Sequence, residues 1–237
     1  MDNNQKVAKF ICETRLADIP LDAQEKTKLA FLDALGAAMS GTLVDVTKIS
    51  NKFAHRCFPG DQATLVLGGG RSSVMGAAFA NANAANAFDT DDDNPMVKGH
   101  MGTQLIPAAF AVAESQGSSG EELLISIATA YEVGFRAGRC WHENHDIWHG
   151  CGAWGAIQNA AACARLLGLS ETQTAHALGI ADYHAPMTPM LRDLAHPAMV
   201  KHSHGWAAVT GVSAVELAAL GYTGIPSILG FEEYDHF

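Results

Sequence analysis

The chain has 237 residues, 48% of them hydrophobic and 17% charged, a globular composition that excludes intrinsic disorder. Its 15 Lys and Arg against 25 Asp and Glu set the formal charge at −10. No basic run offsets that charge and no stretch reaches the ~18 uninterrupted apolar residues of a membrane span, so neither a nucleic-acid nor a membrane partner is expected.

The N-terminal MDNNQKVAKF carries no apolar run of the signal-sequence kind, and a first helix is expected over 5–16. Apolar residues recur at Leu29, Leu32, Leu35 and Met39, one face of a second helix, and a third is expected over 45–57. Ala63–Leu67 is the one strand-like stretch; closed by Gly68-Gly69-Gly70, it reads as a hairpin arm. Ala-rich helices follow over 73–87 and 104–116. Gly117–Gly120 then forms a loop ahead of a helix whose apolar positions are Leu124, Ile127, Ala128, Tyr131 and Phe135. Glu121 and Glu122 sit in its first turn, where the helix dipole favours them. The remaining helices fall near 152–167, 171–181 and 205–220, before a turn-rich tail, GYTGIPSILGFEEYDHF, that reads as the start of a further segment.

Ala and Gly on several faces of these helices suit close packing on more than one side. The expected fold is therefore an all-α, multi-helix bundle with at most a minor β-hairpin, a single domain over 1–237. Cys12, Cys57, Cys140, Cys151 and Cys163 are odd in number and lack CxxC spacing, so a reduced, cytoplasmic protein is expected.

Three loops carry the candidate chemistry. In Phe88–His100, the carboxylates of Asp89, Asp91, Asp92 and Asp93 repel one another and need solvent, a hard cation or nearby positive charge to stay ionised; an exposed acidic loop and a site both fit. In Trp141–Gly152, His142, His145 and His149 are spaced to share a helical face and hold zinc with Cys151 nearby. The HExxH pattern is absent, however, and Gly150 and Gly152 place His149 at a loop–helix junction, beside backbone N–H groups that favour anions. Taken alone, these histidines fit a structural or surface role better than a zinc site. In Arg192–Trp206, Arg192, Lys201, His202 and His204 gather positive charge locally, as an anion site or an exposed basic loop. There is no phosphate-binding glycine loop and no GxSxG elbow. Cofactor-free acid–base chemistry remains if the chain is an enzyme, with no metal and no cofactor expected.

In this order, FLDALGAAMSG, AFANANAANAFDTDDD, HMGTQLIPAA, His149-Gly150-Cys151-Gly152, ARLLGLSETQTAHALGIA and GWAAVTGVSAVELAALGYTG resemble the MmgE/PrpD family, which includes 2-methylcitrate dehydratase, cis-aconitate decarboxylase and iminodisuccinate epimerase. The resemblance implies a helical domain followed by a smaller α+β lid domain, with the active site between them; this chain matches the helical domain only. It implies Asp89, His100, His149 and Lys201 as catalytic residues and a second acidic position at Asp92 or Asp93. Lys98, Arg192 and His204 complete the expected substrate-binding set. His100-Met101-Gly102 and His149-Gly150-Cys151 depart from the family's usual His-Pro-containing forms. The implied activity is that of a dehydratase, decarboxylase or epimerase on a small di- or tricarboxylate. A homo-oligomer is expected, or a split enzyme whose second chain supplies the lid, a reading favoured by the abrupt Tyr234-Asp235-His236-Phe237 ending. The alternative is a non-catalytic carboxylate-binding or oligomerisation domain that needs a partner.

Overall fold

A computed structural model describes residues 3–231; the expected tail beyond 231, with its Tyr234–Phe237 ending, lies outside the described residues. Ten α-helices and one two-stranded hairpin are described, so the fold is all-α as the periodicity indicates. α1 (Asn3–Glu13), α2 (Leu21–Gly41) and α3 (Asp45–Cys57) precede the hairpin of β1 (Ala63–Thr64) and β2 (Arg71–Ser72). Its antiparallel register pairs Ala63 with Ser72 and Thr64 with Arg71. The hairpin is pinned to the bundle by Glu114, whose carboxylate accepts from Thr64 N–H, Thr64 Oγ1 and Arg71 Nη1 at 2.7–2.8 Å.

α4 (Val74–Ala85), α5 (Gly102–Gln116), α6 (Gly120–Asn144), α7 (Gly152–Leu166), α8 (Glu171–Tyr183), α9 (Met190–Ala195) and α10 (His204–Ala219) complete the bundle. Serines start several of them by accepting an otherwise unpaired first-turn N–H: Ser73 from Gly76, Ser119 from Glu122, and Ser170 from Gln173. The short α9 is too brief to show a helical period, and only the structure reveals it.

α7 is the central helix. All its residues but Arg165 are buried, and α5, α6, α8 and α10 pack around it. Its alanines let those neighbours approach closely, while Trp154 and Ile157, both fully buried, each contribute roughly 1.5–3 kcal/mol.

The Leu29, Leu32, Leu35 and Met39 stripe of α2 faces outward, with Leu29 and Leu32 more than 60% exposed. The buried face is Ala34, Ala37, Ala38 and Gly41. Gly41 explains the reversal, because a Cβ there would fall on the Ala84 carbonyl of α4. This helix meets its neighbour through backbone, where small residues fit better than leucines. Among the described residues no single helix is long and apolar enough to cross a membrane.

Candidate active site

The N-termini of α5, α7 and α10 converge, which brings the loops before them together. The Cys151 thiol accepts from His100 N–H at 3.3 Å, Gly152 N–H donates to the His202 carbonyl at 3.2 Å, and Thr103 Oγ1 meets His204 Nδ1 at 2.8 Å. Buried Gln104 ties the first two loops by donating to the carbonyls of His100 and Cys151. Four of the five non-glycine residues with positive φ among the described residues (Asp89, Lys98, Lys201 and Ser203) lie in these loops. Backbone strain is thus concentrated where the side chains cluster.

His100 is the centre of the cluster. Its Nδ1 lies 3.1 Å from Asp91 Oδ2 and donates to the Asp92 carbonyl at 3.0 Å, while its Nε2 is 3.5 Å from Asp89 Oδ1. Burial pulls the imidazole pKa down, but the hydrogen bond and charge of Asp91, with the charge of Asp89, outweigh it and raise the pKa to about 9. His100 is therefore an imidazolium at neutral pH. Asp91, its side chain fully buried, is opposed by the same burial, yet His100 and the Thr103 hydroxyl hold its carboxyl below the usual range.

The chain of contacts continues inward. Thr103 Oγ1 donates to Asp91 Oδ2 at 2.8 Å, so it accepts from His204 Nδ1. Burial drives the His204 pKa down to about 3, and the ring is neutral. On the outer side, half-exposed Asp89 lies 3.8 Å from His202 Nδ1 and 3.9 Å from Lys201 Nζ. Lys201 also donates to the carbonyls of Asn86 and Ala87 at 2.8 and 3.3 Å, beyond the C-terminus of α4. His202 stacks on His100 with ring centroids 5.7 Å apart, and its Nε2 faces Asp193 of α9 at 3.6 Å. Burial lowers the His202 pKa against the pull of Asp89 and Asp193.

These groups border a cleft of about 680 Å³, whose lining includes Asp89, Asp93, Lys98, His100, Cys151 and His202. Its surroundings on and around α9 are apolar and exposed: Met187, Leu191, Leu194, Met199 and Val200. A larger groove of about 1160 Å³ lies between α1, α2 and α6, but ionic groups on its wall pair with each other, as Arg15 with Asp18 and Lys9 with Glu13. The titratable cluster borders the smaller cleft.

The structure therefore gathers Asp89, His100, Lys201 and His204 and sets Asp93 and Lys98 on the cleft wall. It turns Asp92 away: one oxygen accepts from Gly102 N–H at 2.8 Å, at the start of α5, and the other from Tyr131 Oη at 2.9 Å. Arg192 is exposed on α9. His149 belongs to a neighbouring group, 5.3 Å from the Trp141 ring and 6.4 Å from that of His145, with its Nδ1–H given to the Ile147 carbonyl at 2.9 Å. His142 beside it is driven by burial, and then by the Lys98 charge, to a pKa of about 4. Sequence reasoning put Asp91 in the acidic cluster and His202 in the anion-site loop without a role for either, and it did not single out Thr103 or Asp193. The Asp89-x-Asp91 spacing was the available signal for the first, and burial marks the rest only in three dimensions.

The family model described as the MmgE/PrpD N-terminal domain matches residues 5–233. Similar proteins include the cis-aconitate decarboxylase of Aspergillus terreus, 32% identical over 247 residues, covering 96% of this chain and 49% of that protein. The cis-aconitate decarboxylase of Homo sapiens is 31% identical over 219 residues, covering 88% and 44%. A cis-aconitate decarboxylase-like protein of Aspergillus oryzae is 28% identical over 234 residues, covering 94% and 48%. The chain spans about half the length of these curated relatives.

Proposed function

The chain belongs to the MmgE/PrpD family, and on that premise we propose that it carries the acid–base half of a cofactor-independent lyase site acting on a small di- or tricarboxylate. The observation that carries the reading is the His100 imidazolium, held by buried Asp91 on an open cleft beside Lys201. A carboxylate bound there would be met by the Lys201 ammonium, and the positive ends of the α5, α7 and α10 dipoles nearby favour negative charge. When carbon dioxide leaves, the electron pair of the broken C–C bond is delocalised toward a remaining carboxylate, and His100 delivers its proton to the carbon. Loss of water uses the same imidazolium to protonate the departing hydroxyl, after a base has taken the proton beside the carboxylate. His149, its ring held by the Nδ1 hydrogen bond to the Ile147 carbonyl, is the proposed base. Epimerisation would use the same two groups from opposite faces.

A second polypeptide region completes the site in this proposal. The exposed apolar rim of Leu191, Leu194, Met199 and Val200 supports a cover over the cleft, from another part of a longer protein, a homo-oligomer or a separate chain. That rim equally favours a second reading, a carboxylate-binding or oligomerisation domain without turnover of its own. The protein should be purified from its own host with associated chains retained, then incubated with cis-aconitate and with 2-methylcitrate in D2O. Release of carbon dioxide with one deuterium entering the carbon skeleton of the product, or release of water with loss of the proton beside the carboxylate, is the expected outcome. Saturable carboxylate binding with no turnover of either compound would replace the lyase with the binding domain.

A further inference from the structure

We propose that Cys151, His202 and His204 form a binding site for one soft divalent metal ion of the zinc class, set into the wall of the cleft. One ligand atom from each residue lies within 4.8 Å of the other two. All three residues are nine-tenths or more buried, at 2%, 7% and 2% exposure. They come from the start of α7, the loop before α10 and the first residue of α10, segments already locked by the Gly152–His202 backbone hydrogen bond.

The far side of each ligand is already engaged, as ligating residues require if they are to be held in orientation. Cys151 Sγ accepts the His100 N–H at 3.3 Å. His204 Nδ1 gives its proton to Thr103, which is itself fixed on Asp91. His202 Nε2 faces Asp193 at 3.6 Å. What remains is His204 Nε2 and His202 Nδ1, both buried and neither hydrogen-bonded among the described residues, with Asp89 Oδ1 3.8 Å from His202 Nδ1, together with the thiol. A sulfur and two imidazole nitrogens suit zinc, whose bonds of ~2.3 and ~2.0 Å would draw the ligand atoms to roughly 3.5 Å of one another. The thiol releases its proton to solvent on binding, and Cys151 and His202 both line the cleft.

The site departs from the expectation of a metal-free chain, and from the zinc arrangement in which Cys151 would join His142, His145 and His149. A second possible set, Asp89, His100 and His202, shares one ligand but would need His100, which already forms ion pairs with Asp89 and Asp91. The proposal does not depend on what the cleft turns over, so its test reads the metal.

Untagged, chelator-stripped protein should be titrated with Co2+ and followed by absorption. The expected result is one equivalent bound, with tetrahedral d–d bands and a thiolate-to-cobalt charge-transfer band, displaced by Zn2+. Cys151→Ser, a near-isosteric change, should abolish the charge-transfer band, whereas Cys57→Ser at an exposed cysteine should leave it intact. Thr103→Val, which frees the back of His204, should weaken binding roughly tenfold or more, with far-UV circular dichroism confirming the fold. Folded wild-type protein without a thiolate band would overturn the site. So would a band that survives Cys151→Ser, or an ion bound without that band and lost in Asp89→Asn.

Discussion

Replacing Asp91 by Asn keeps the side chain's shape and its acceptor for Thr103 while removing the charge that faces His100. The structure sets the size of the effect. Lifting the His100 pKa from 6.5 to about 9 corresponds to about 3 kcal/mol in favour of the imidazolium, at 1.36 kcal/mol per pKa unit. Burial opposes that rise, so the carboxylates supply more than the net. Asp89 remains at 3.5 Å in the variant but is half-exposed and solvent-screened. His100 in Asp91→Asn should therefore titrate at or below 6.5 and be mostly neutral at pH 7.5. The direct assay is a pH titration of the His100 ring signals by NMR in both proteins, with the alkaline limb of kcat/KM moving down in parallel. The linkage has a definite sign. A raised histidine pKa contributes stability that is full below 6.5 and lost as pH rises through about 9, so the wild type's advantage over the variant should fade across that window. His100 titrating near 9 in Asp91→Asn, or near 6.5 in the wild type, would refute the reasoning.

Three further outcomes are expected. His100→Gln and His149→Gln should each abolish turnover without changing the far-UV circular dichroism; full activity in both would remove them from the mechanism. Gly179→Ala should lower the melting temperature by an amount equivalent to at least 1–3 kcal/mol, because a Cβ there falls on the Ile225 carbonyl; an unchanged melt would contradict the close packing of the segment around Ile225 on α8. Burial raises the Asp182 carboxyl to about 6 although it accepts the Ile228 N–H at 2.6 Å. Its stabilising contribution is full below the unfolded value near 3.8 and lost as pH rises through about 6. Asp182→Asn should flatten that part of the pH–stability profile, as read by denaturant melts between pH 4 and 8.

Helices were legible wherever a local rule governs them. Glu121 and Glu122 in the first turn of α6 and the Gly-closed hairpin at Ala63 are short-range signals, and the structure contains both. The face a helix buries is not short-range information. On α2 the leucine stripe has the right period, yet the neighbour it meets, at Gly41 against Ala84, decides that the alanine face goes inward. On α6 likewise, Ile127 is buried, but Leu124, Tyr131 and Phe135 are only partly so, while Val133 and Ala137 reach the core.

The amino-acid sequence by itself determined the all-α class, the order of the elements and the three loops that bear the titratable groups. Composition, helix period and motif order are properties of neighbouring residues. Only the tertiary structure decided which members of those loops act together. It selected buried Asp91 as the partner of His100, gave Asp92 to Tyr131 and Gly102, set His149 in a group apart from the His100 cluster, and joined His204 to Thr103 across 101 residues of chain. Desolvation and the distance to opposite charge decide what a carboxylate or imidazole does. Both depend on what the folded chain places around the group, and the residues beside it in sequence carry no record of that.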